Sequence, residues 1–447
     1  MSDSPDKLAA REAEGLFDFI EACPSAFHTA AEISRRLDAA GFVRLAEADA
    51  WDVAPGSRCY VVRNGSSVIA FKVGARASGA DALRFQLTAS HGDSPAFKVK
   101  EVAELDGAEG SLRLNVEAYG GMIDHTWFDR PLSVAGRVLV RTGSRVESRL
   151  AALDRDVALI PSLAVHLDRD VNKGFAPNRA VDLCPLFSAG ELSRGAFGRM
   201  VAHAVGAAPE DVLGRDLFLY SRQRGCVWGE AGEFVSAPKL DDLMCAYAAL
   251  EAFLAAENDA AVSVYCFFDN EEVGSNTKQG VMSTFLPDVL ARVAAKLGAQ
   301  GEGYRRALSR SMLVSCDNAH AVHPNRPERY DDANRVRLNG GIVVKEAANQ
   351  HYCTDAFSRA VFSAVCERAG VPVQAFANRS DQAGGSTLGN LSNIQASMHA
   401  VDVGCPQLAM HSAFETAGTH DVGHARRALQ AFYETDLRIC GAESAEV

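Results

Sequence analysis

Residues 262–275, VSVYCFFDNEEVGS, decide the predicted fold, because an uncharged apolar run leads directly into two adjacent carboxylates. Residues 262–268 are mostly β-branched and aromatic, which predicts a buried strand. Glu271 and Glu272 follow at its carboxyl end, the edge at which ligands collect in open α/β sheets. Neighbouring residues that leave a strand point in different directions. One glutamate can therefore bind a metal while the other reaches a water molecule.

The same arrangement recurs in four other segments, each of which places an aspartate or a histidine at the end of a predicted element. These segments are FQLTASHGD (85–93), PKLDDL (238–243), SMLVSCDNAHAVH (311–323) and VDVGCPQLAMHS (401–412). Imidazole and carboxylate ligands without cysteine suit zinc, manganese or cobalt. Taken singly, Asp317 is explained as a turn cap and Asp241 as a helix N-cap. Five independent caps explain the joint pattern poorly.

These motifs resemble those of the aspartyl aminopeptidase family of dinuclear zinc metallopeptidases, and the resemblance covers nearly the whole chain. The matching segments are PSAFH (24–28), SHGDSP (90–95), HTWFDR (125–130), KLDDL (239–243), DNEEVGS (269–275), DNAHAVHPN (317–325) and PQLAMHS (406–412). Gly92 and Asp242 occupy variable places in these motifs, and neither matches a ligand position. The resemblance implies removal of an N-terminal residue, preferably Asp or Glu, from peptides with a free N-terminus.

The resemblance also implies two zinc ions per subunit, with manganese or cobalt as alternatives in one site. The implied ligands are His91, Asp241, Glu272, Asp317 and His411. Asp241 would bridge the two ions, since metals about 3.5–4 Å apart need a shared carboxylate. His91 and Asp317 would complete one site, and Glu272 and His411 the other.

Two further carboxylates match roles in the reaction. Glu271 matches the general base that accepts a proton from the attacking water. Asp93 matches the acid that orients His91, because carboxylates commonly fix the tautomer of a ligating histidine. Hydrolysis is the natural outcome of this set.

Substrate-binding residues are also implied by the resemblance. His166, in LAVHL (163–167), would reach into the active site of a neighbouring subunit; a histidine on an otherwise apolar strand, paired locally, is the alternative. Lys345 would pair with an acidic substrate side chain, with Tyr352 and Gly385 as further pocket residues. A surface lysine on an edge strand is the plainer interpretation of Lys345.

Other functions stay open at this point. A neutral-residue (Leu-type) aminopeptidase and an N-acyl amino acid amidohydrolase would use the same site. A catalytically idle assembly protein would share only the assembled shell of subunits. A glycosidase that used Glu271 and Glu272 as its acid pair is disfavoured, because adjacent residues seldom face each other across a sugar.

Composition limits the partners and the compartment. The chain has 447 residues and a formal net charge of -12, without the basic stripe that nucleic-acid binding needs. Arg305, Arg306 and Arg310 are interpreted as the solvated face of a helix. Eleven scattered cysteines without C-x-x-C spacing indicate reduced thiols. No apolar signal core or membrane span is evident, so a cytoplasmic enzyme without a membrane partner is expected.

The chain is long enough for two domains. We predict an α/β catalytic domain of residues 1–97 and 236–447, a three-layer α/β/α arrangement with a central, mostly parallel sheet. A β-rich dimerisation domain of residues 98–235 is inserted between these two segments. The resemblance implies that this domain builds dimers that assemble into a homododecamer. In residues 59–73, an Asn64-Gly65 turn predicts a tight β-hairpin.

Overall fold

The computed structural model describes residues 5–441 and 443–447, which form a mixed α/β fold. The helices of this part of the chain are α1 Pro5–Ala22, α2 Ala26–Ala39, α3 Ala196–Ala204, α4 Leu240–Ala255, α5 Phe285–Lys296, α6 Glu302–Ser309, α7 Ala356–Arg368, α8 Leu388–Gln395 and α9 Asp421–Glu434. The strands are β1 Val43–Leu45, β2 Arg58–Arg63, β3 Ser67–Val73, β4 Phe85–His91, β5 Ala96–Asp106, β6 Leu112–Tyr119, β7 Pro131–Thr142, β8 Arg145–Ala152, β9 Ala158–Leu159, β10 Leu186–Ser188, β11 Val212–Tyr220, β12 Cys226–Trp228, β13 Phe234–Ala237, β14 Val262–Phe268, β15 Met312–Cys316, β16 Ala319–His320, β17 Ile342–Glu346, β18 Val373–Ala377, β19 His399–Gly404, β20 Pro406–Leu408, β21 Glu415–Gly418, β22 Arg438–Ile439 and β23 Ala445–Glu446.

The largest sheet has nine strands in the order β1-β2-β3-β14-β4-β15-β19-β17-β18. Its four central strands, β14, β4, β15 and β19, are mutually parallel. Antiparallel pairs occur between β2 and β3, β3 and β14, and β19 and β17. The sheet is therefore mostly parallel, and its central strands end at one edge.

Side chains alternate between the two faces of this sheet. In β14, Val264 and Cys266 belong to a hydrophobic cluster that includes residues of α5, whereas Tyr265 and Phe267 belong to a cluster that includes residues of α1, α4 and α9. Both faces are thus covered by helices, which explains why all seven residues of β14 are buried. A strand buried on both faces reads as a continuous apolar run, as residues 262–268 do.

A second sheet of seven strands has the order β11-β5-β6-β10-β9-β7-β8. Strand β11, at one end of this order, pairs with β5 and also with β7, which stands next to the other end. These strands surround a separate hydrophobic cluster that contains Phe97, Leu132 and Leu217. The middle of the chain is β-rich, as its short apolar runs predict.

A third sheet, in the order β12-β13-β21-β20-β16, joins the middle of the chain to its second half. Strand β13 pairs with β21 along residues 234–237. The predicted boundary at residue 235 falls within β13, which hydrogen-bonds in a sheet completed by residues 319–418. The division into domains stays a prediction.

Local sequence signals near the amino terminus match the structure. Strands β2 and β3 form the predicted antiparallel hairpin, and Asn64 and Gly65 have the positive φ angles of 58° and 70° that a tight turn between them requires. Helix α2 ends before Gly41, which has a φ of 80°. Among the described helices, none combines the length and the apolar character that crossing a membrane requires.

Candidate metal centre

The acidic residues and histidines singled out in the sequence meet at the carboxyl edge of the central strands. Strand β4 ends with His91, and Asp317 directly follows β15. Glu271 and Glu272 begin a short 3-10 turn, which is separated from the end of β14 by two residues. The three strands are adjacent and parallel, so their carboxyl ends converge at this edge.

Asp241 lies between two histidines at this edge. Its Oδ1 is 3.7 Å from His91 Nε2, and its Oδ2 is 3.2 Å from His411 Nε2. His411 Nε2 is also 3.4 Å from Glu272 Oε1. One carboxylate thus presents a different oxygen to each imidazole, which is the arrangement that a bridging ligand needs.

Two groups of potential ligand atoms form around His91, each within 4.8 Å. The first contains His91, Asp241 and Glu272, and the second contains His91, Asp242 and Asp317. The structure thus brings all five predicted ligands into one region. It adds Asp242, whose Oδ2 accepts a hydrogen bond from the His91 N–H at 3.2 Å.

Buried oxygens without partners show that cations fit this site. Among the described residues, Asp241 Oδ1, Asp242 Oδ1 and Glu272 Oε1 are buried and accept no hydrogen bond. A buried carboxylate oxygen without a partner is costly, and such atoms are normally satisfied. Divalent cations held by these carboxylates and histidines would satisfy them.

The local electrostatics agree with this conclusion. Burial raises the pKa of Asp317 to about 8 and that of Glu272 well above its usual range, and the Asp241 carboxylate adds to both effects. Burial alone would lower the pKa of His411, but hydrogen bonding to Asp241 and the nearby Glu272 carboxylate raise it to about 10. Crowded acids disfavour further negative charge and favour cations.

Asp93 supports the site in two ways. Its backbone carbonyl lies 3.0 Å from His91 Nδ1, closer than its carboxylate at 3.6 Å. The carboxylate instead accepts hydrogen bonds from the backbone N–H groups of Glu271 and Glu272, each at 3.1 Å, and from Tyr119 Oη–H at 2.6 Å. Asp93 therefore positions the glutamate turn as well as the imidazole.

Glu415 is a supporting residue that sequence reasoning missed. It is only 2% exposed, and its two oxygens accept the backbone N–H groups of Asp241 at 2.9 Å and His411 at 2.6 Å. The carboxylate thus fixes the backbone at two predicted ligands from distant segments. Its position four residues after His411 offered the only signal, and spacing alone does not distinguish it from other acids.

Lys345 is buried in β17, which lies between β19 and β18 in the sheet. The alternative of an edge-strand surface lysine is therefore wrong. Its ammonium group donates to the Asp317 carbonyl at 2.7 Å and lies 3.7 Å from Asp317 Oδ2. The ring of Tyr352, which is buried, has its centroid 5.2 Å from the ammonium group. Gly385 is exposed in the segment between β18 and α8.

His166 does not lie in a strand. Residues 165–167 form a turn, and His166 is exposed together with Leu163, Val165 and Leu167, which are 61%, 52% and 75% exposed. The apolar run resembled a strand because β-branched and aliphatic residues favour one, but here no neighbouring strand pairs with it. Within this chain His166 makes no part of the metal centre.

A cavity of about 480 Å³ adjoins the metal centre. Its lining includes the predicted ligands Asp241 and His411 and the supporting residues Asp93 and Glu415. Polar and aromatic residues of β5, β6 and β11 also line it. Lys345, Tyr352 and Gly385 are not among its lining residues.

A buried carboxylate between two histidines, with further acids converging at the edge of a parallel sheet, defines the class of metal-dependent hydrolases on an α/β scaffold. Within that class, the profile of the Peptidase M18 family, described as aminopeptidase I zinc metalloprotease, matches residues 19–433. The chain belongs to this family of zinc aminopeptidases.

Individual relatives agree over nearly the full length. A probable M18 family aminopeptidase 2 from Clostridium novyi is 40% identical over 430 residues, which cover 94% of this chain and 98% of the relative. The fold is similar to that in a cryo-EM structure of the Ape4 and Nbr1 complex, with a TM-score of 0.92, 34% identity and coverage of 96% and 86% of the two chains. An S. cerevesiae mApe1 dodecamer matches with a TM-score of 0.83, 27% identity and coverage of 95% and 96%.

Proposed function

We propose that this zinc aminopeptidase removes N-terminal residues, preferably Asp or Glu, with Glu271 as general base. The observation that carries the proposal is the position of Asp241, which offers one buried oxygen to each of two histidines. Glu271 lies next to the ligand Glu272 in sequence, and its backbone is held by Asp93. A base fixed beside a bridged ligand set suits hydrolysis by an activated water.

Two zinc ions are proposed as the cofactor, with manganese or cobalt as alternatives in one site. The proposed ligands are His91, Asp241, Glu272, Asp317 and His411. These residues would hold the ions, which would supply Lewis acidity for the peptide carbonyl and for the attacking water. The three buried oxygens without hydrogen-bond partners support a site for positive charge.

The protein's own groups then move the proton. Burial raises the pKa of Glu271, which makes its carboxylate a better base than an exposed glutamate. We expect Glu271 to accept a proton from the attacking water and to return it to the leaving amine. Asp93 keeps Glu271 in place by accepting its backbone N–H, and fixes the ring of His91 through its carbonyl.

We propose a preference for substrates with an N-terminal Asp or Glu because Lys345 carries a positive charge. Its ammonium group is buried near the ligand Asp317 and has the Tyr352 ring beside it. A substrate carboxylate close to the metal centre would have this cation within reach, with Gly385 in the neighbouring segment. A neutral-residue aminopeptidase is the second candidate, because two backbone carbonyls, of Asp317 and Asn318, already accept from Lys345 Nζ.

Hydrolysis of four matched peptides tests the proposed function. The peptides begin with Asp, Glu, Leu or N-acetyl-Asp and are otherwise identical. We expect release of Asp and Glu that is lost on chelation, restored by zinc, manganese or cobalt, and absent for the acetylated peptide. Preference for Leu would establish the second candidate. Removal of the acetyl group would establish a deacylase, and inertness with every metal would reject an enzymatic role.

Lys345→Met tests the acidic preference separately. The change keeps the aliphatic length of the side chain and removes its charge. We expect kcat/KM for the Asp and Glu peptides to fall by about 10²-fold, the order of a lost charge-assisted hydrogen bond, while the Leu peptide changes less than threefold. Zinc content is measured in parallel, because Lys345 also contacts Asp317. Equal losses on all peptides would refute the specificity role.

The oligomer is proposed to be a homododecamer built from dimers, with residues 98–235 as the inserted oligomerisation domain and residues 1–97 and 236–447 as the three-layer α/β/α catalytic domain. The mApe1 match is itself a dodecamer. Exposed apolar side chains at Leu163, Val165 and Leu167 support contact with a second copy of this chain. We propose that this contact carries His166 to the neighbour's substrate.

A mixing experiment tests the role of His166 in trans. His166→Ala is expected to raise KM or lower kcat by about tenfold or more. Co-assembly of His166→Ala chains with Glu271→Gln chains should restore activity, because an intact Glu271 site then receives a neighbour's His166. Light scattering checks that each oligomer is intact. Activity equal to the sum of the separate variants would reject transfer between subunits.

A further inference from the structure

Four arginines converge at the edge of the sheet opposite the metal centre. Arg84 directly precedes β4, and Arg310 lies two residues before β15, at the amino ends of strands whose carboxyl ends carry His91 and Asp317. With Arg76 and Arg438 they line a cavity of about 340 Å³, which we call the arginine pocket; Asp81, Ala82, Ala260 and Ile439 complete it.

The arginine pocket has more positive than negative charge. Asp436 pairs with Arg84 and, at 3.0 Å, with Arg438, so two guanidinium groups share one carboxylate. Glu446 lies 3.9 Å from Arg438. Asp81 is already engaged by Arg306 at 2.7 Å, outside the pocket. Four arginines therefore face two available carboxylates.

Neither of the two remaining guanidinium groups forms an ion pair among the described residues, although Arg76 adds to the effect of Arg438 and Arg84 in lowering the pKa of Asp436. Arg310 donates to the backbone carbonyls of Ala80 at 3.1 Å and Asp81 at 2.6 Å, which are neutral. Within residues 5–441 and 443–447, the Arg76 side chain makes no hydrogen bond or ion pair.

Repulsion among the arginines is a second reason why the pocket suits an anion. The side chain of Arg84 is only 12% exposed, so water screens its charge poorly. Repulsion from Arg438, Arg76 and Arg310 acts on its guanidinium group. An anion in the pocket would offset this repulsion.

We propose that the arginine pocket binds a small phosphate-bearing polyanion of about the size of pyrophosphate. Planar guanidinium forks match phosphate oxygens with paired, charge-assisted hydrogen bonds. The volume lies at the lower end of the range for small-molecule sites. This cluster of four arginines is confined to one pocket, and the chain as a whole has a net charge of -12. An extended nucleic acid, which needs a long basic surface, therefore does not fit.

Binding of pyrophosphate to the intact, metal-loaded protein tests the proposal. Calorimetry and thermal unfolding are run at constant ionic strength, with potassium chloride as the control salt and inorganic phosphate as a second probe. We expect saturable binding of one pyrophosphate per chain and a rise in Tm of about 2 °C at saturation. Inorganic phosphate should bind more weakly, because it reaches fewer of the four arginines.

Arg76→Ala combined with Arg438→Ala should weaken pyrophosphate binding by about tenfold or more. Arg76→Glu is a second variant that should fold normally, since the Arg76 side chain has no partners to lose among the described residues. The matched control is Arg335→Ala, which removes an exposed arginine outside the pocket that pairs with Asp332 at 2.9 Å. All these proteins keep the same metal centre, so any withdrawal of zinc by pyrophosphate is common to them.

Two results would overturn the proposal. The first is pyrophosphate binding that is absent in the native protein or unchanged in both pocket variants. The second is loss of the native oligomer in Arg76→Glu without any pyrophosphate binding by the native protein, which would assign the pocket to a contact between copies of this chain. Peptidase activity does not enter the measurement, so this outcome is separate from that of the proposed function.

Discussion

Glu271→Gln is expected to lower kcat for an Asp-initiated peptide by about 10²–10⁴-fold, the range of a positioned general base. The amide has the size and shape of the carboxylate but cannot accept the proton of the attacking water. The Glu271 backbone N–H donates to Asp93, so the turn should keep its geometry in the variant. KM should change little, because the lost interaction acts in the reaction step.

The control for this prediction is Glu251→Gln, the same chemical change on α4, where Glu251 pairs with Arg36 at 2.9 Å. It should retain native kcat. Metal content of both variants is measured by elemental analysis, and Glu271→Gln should retain the native amount. If its kcat stayed within threefold of native with full metal loading, Glu271 would not be the base.

Asp241→Asn is expected to reduce metal affinity by at least about 100-fold, beyond the roughly 10–100-fold effect of residues that only support a ligand. The amide removes the negative charge that stands between His91 and His411, and its NH₂ group would point at one of the two sites. Repulsion between two cations would then lack a shared counter-charge. Activity should fall with the metal content.

Metal content after dialysis against a weak chelator measures this effect directly. Asp18→Asn is the matched control, because Asp18 is exposed on α1 and pairs with Arg224 at 2.6 Å. It should bind the native amount of metal. Circular dichroism and light scattering confirm that Asp241→Asn is folded and assembled. Two tightly held ions per chain in that variant would refute the bridging role.

Much of the candidate site was predictable because it is built from local patterns. The apolar run of β14 followed by Glu271 and Glu272 marks both a buried strand and its functional end. His91 and Asp317 end parallel strands in the same way. In a parallel sheet such ends must meet at one edge, so element ends with metal-ligand chemistry predict a shared centre.

Other features were not predictable, because they depend on contacts between distant segments. Asp93 was expected to orient His91, and its carboxylate does lie 3.6 Å from the ring, but its additional hydrogen bonds to the glutamate turn and Tyr119 were not foreseen. Glu415 was missed, since only the folded chain brings it to Asp241. The alternative for His166, a histidine paired locally on a strand, fails because residues 163–167 pair with no strand of the described residues.

By itself, the sequence determined the class of fold, the family, and the five acids and histidines that the structure brings into one region. Apolar periodicity and residue chemistry are local properties, and they are visible along the chain. The tertiary structure alone decided that Lys345 is buried against Asp317 and that four arginines share one pocket. Burial and charge balance arise from segments that are hundreds of residues apart, such as Arg84 and Asp436, and only packing brings their charges into contact.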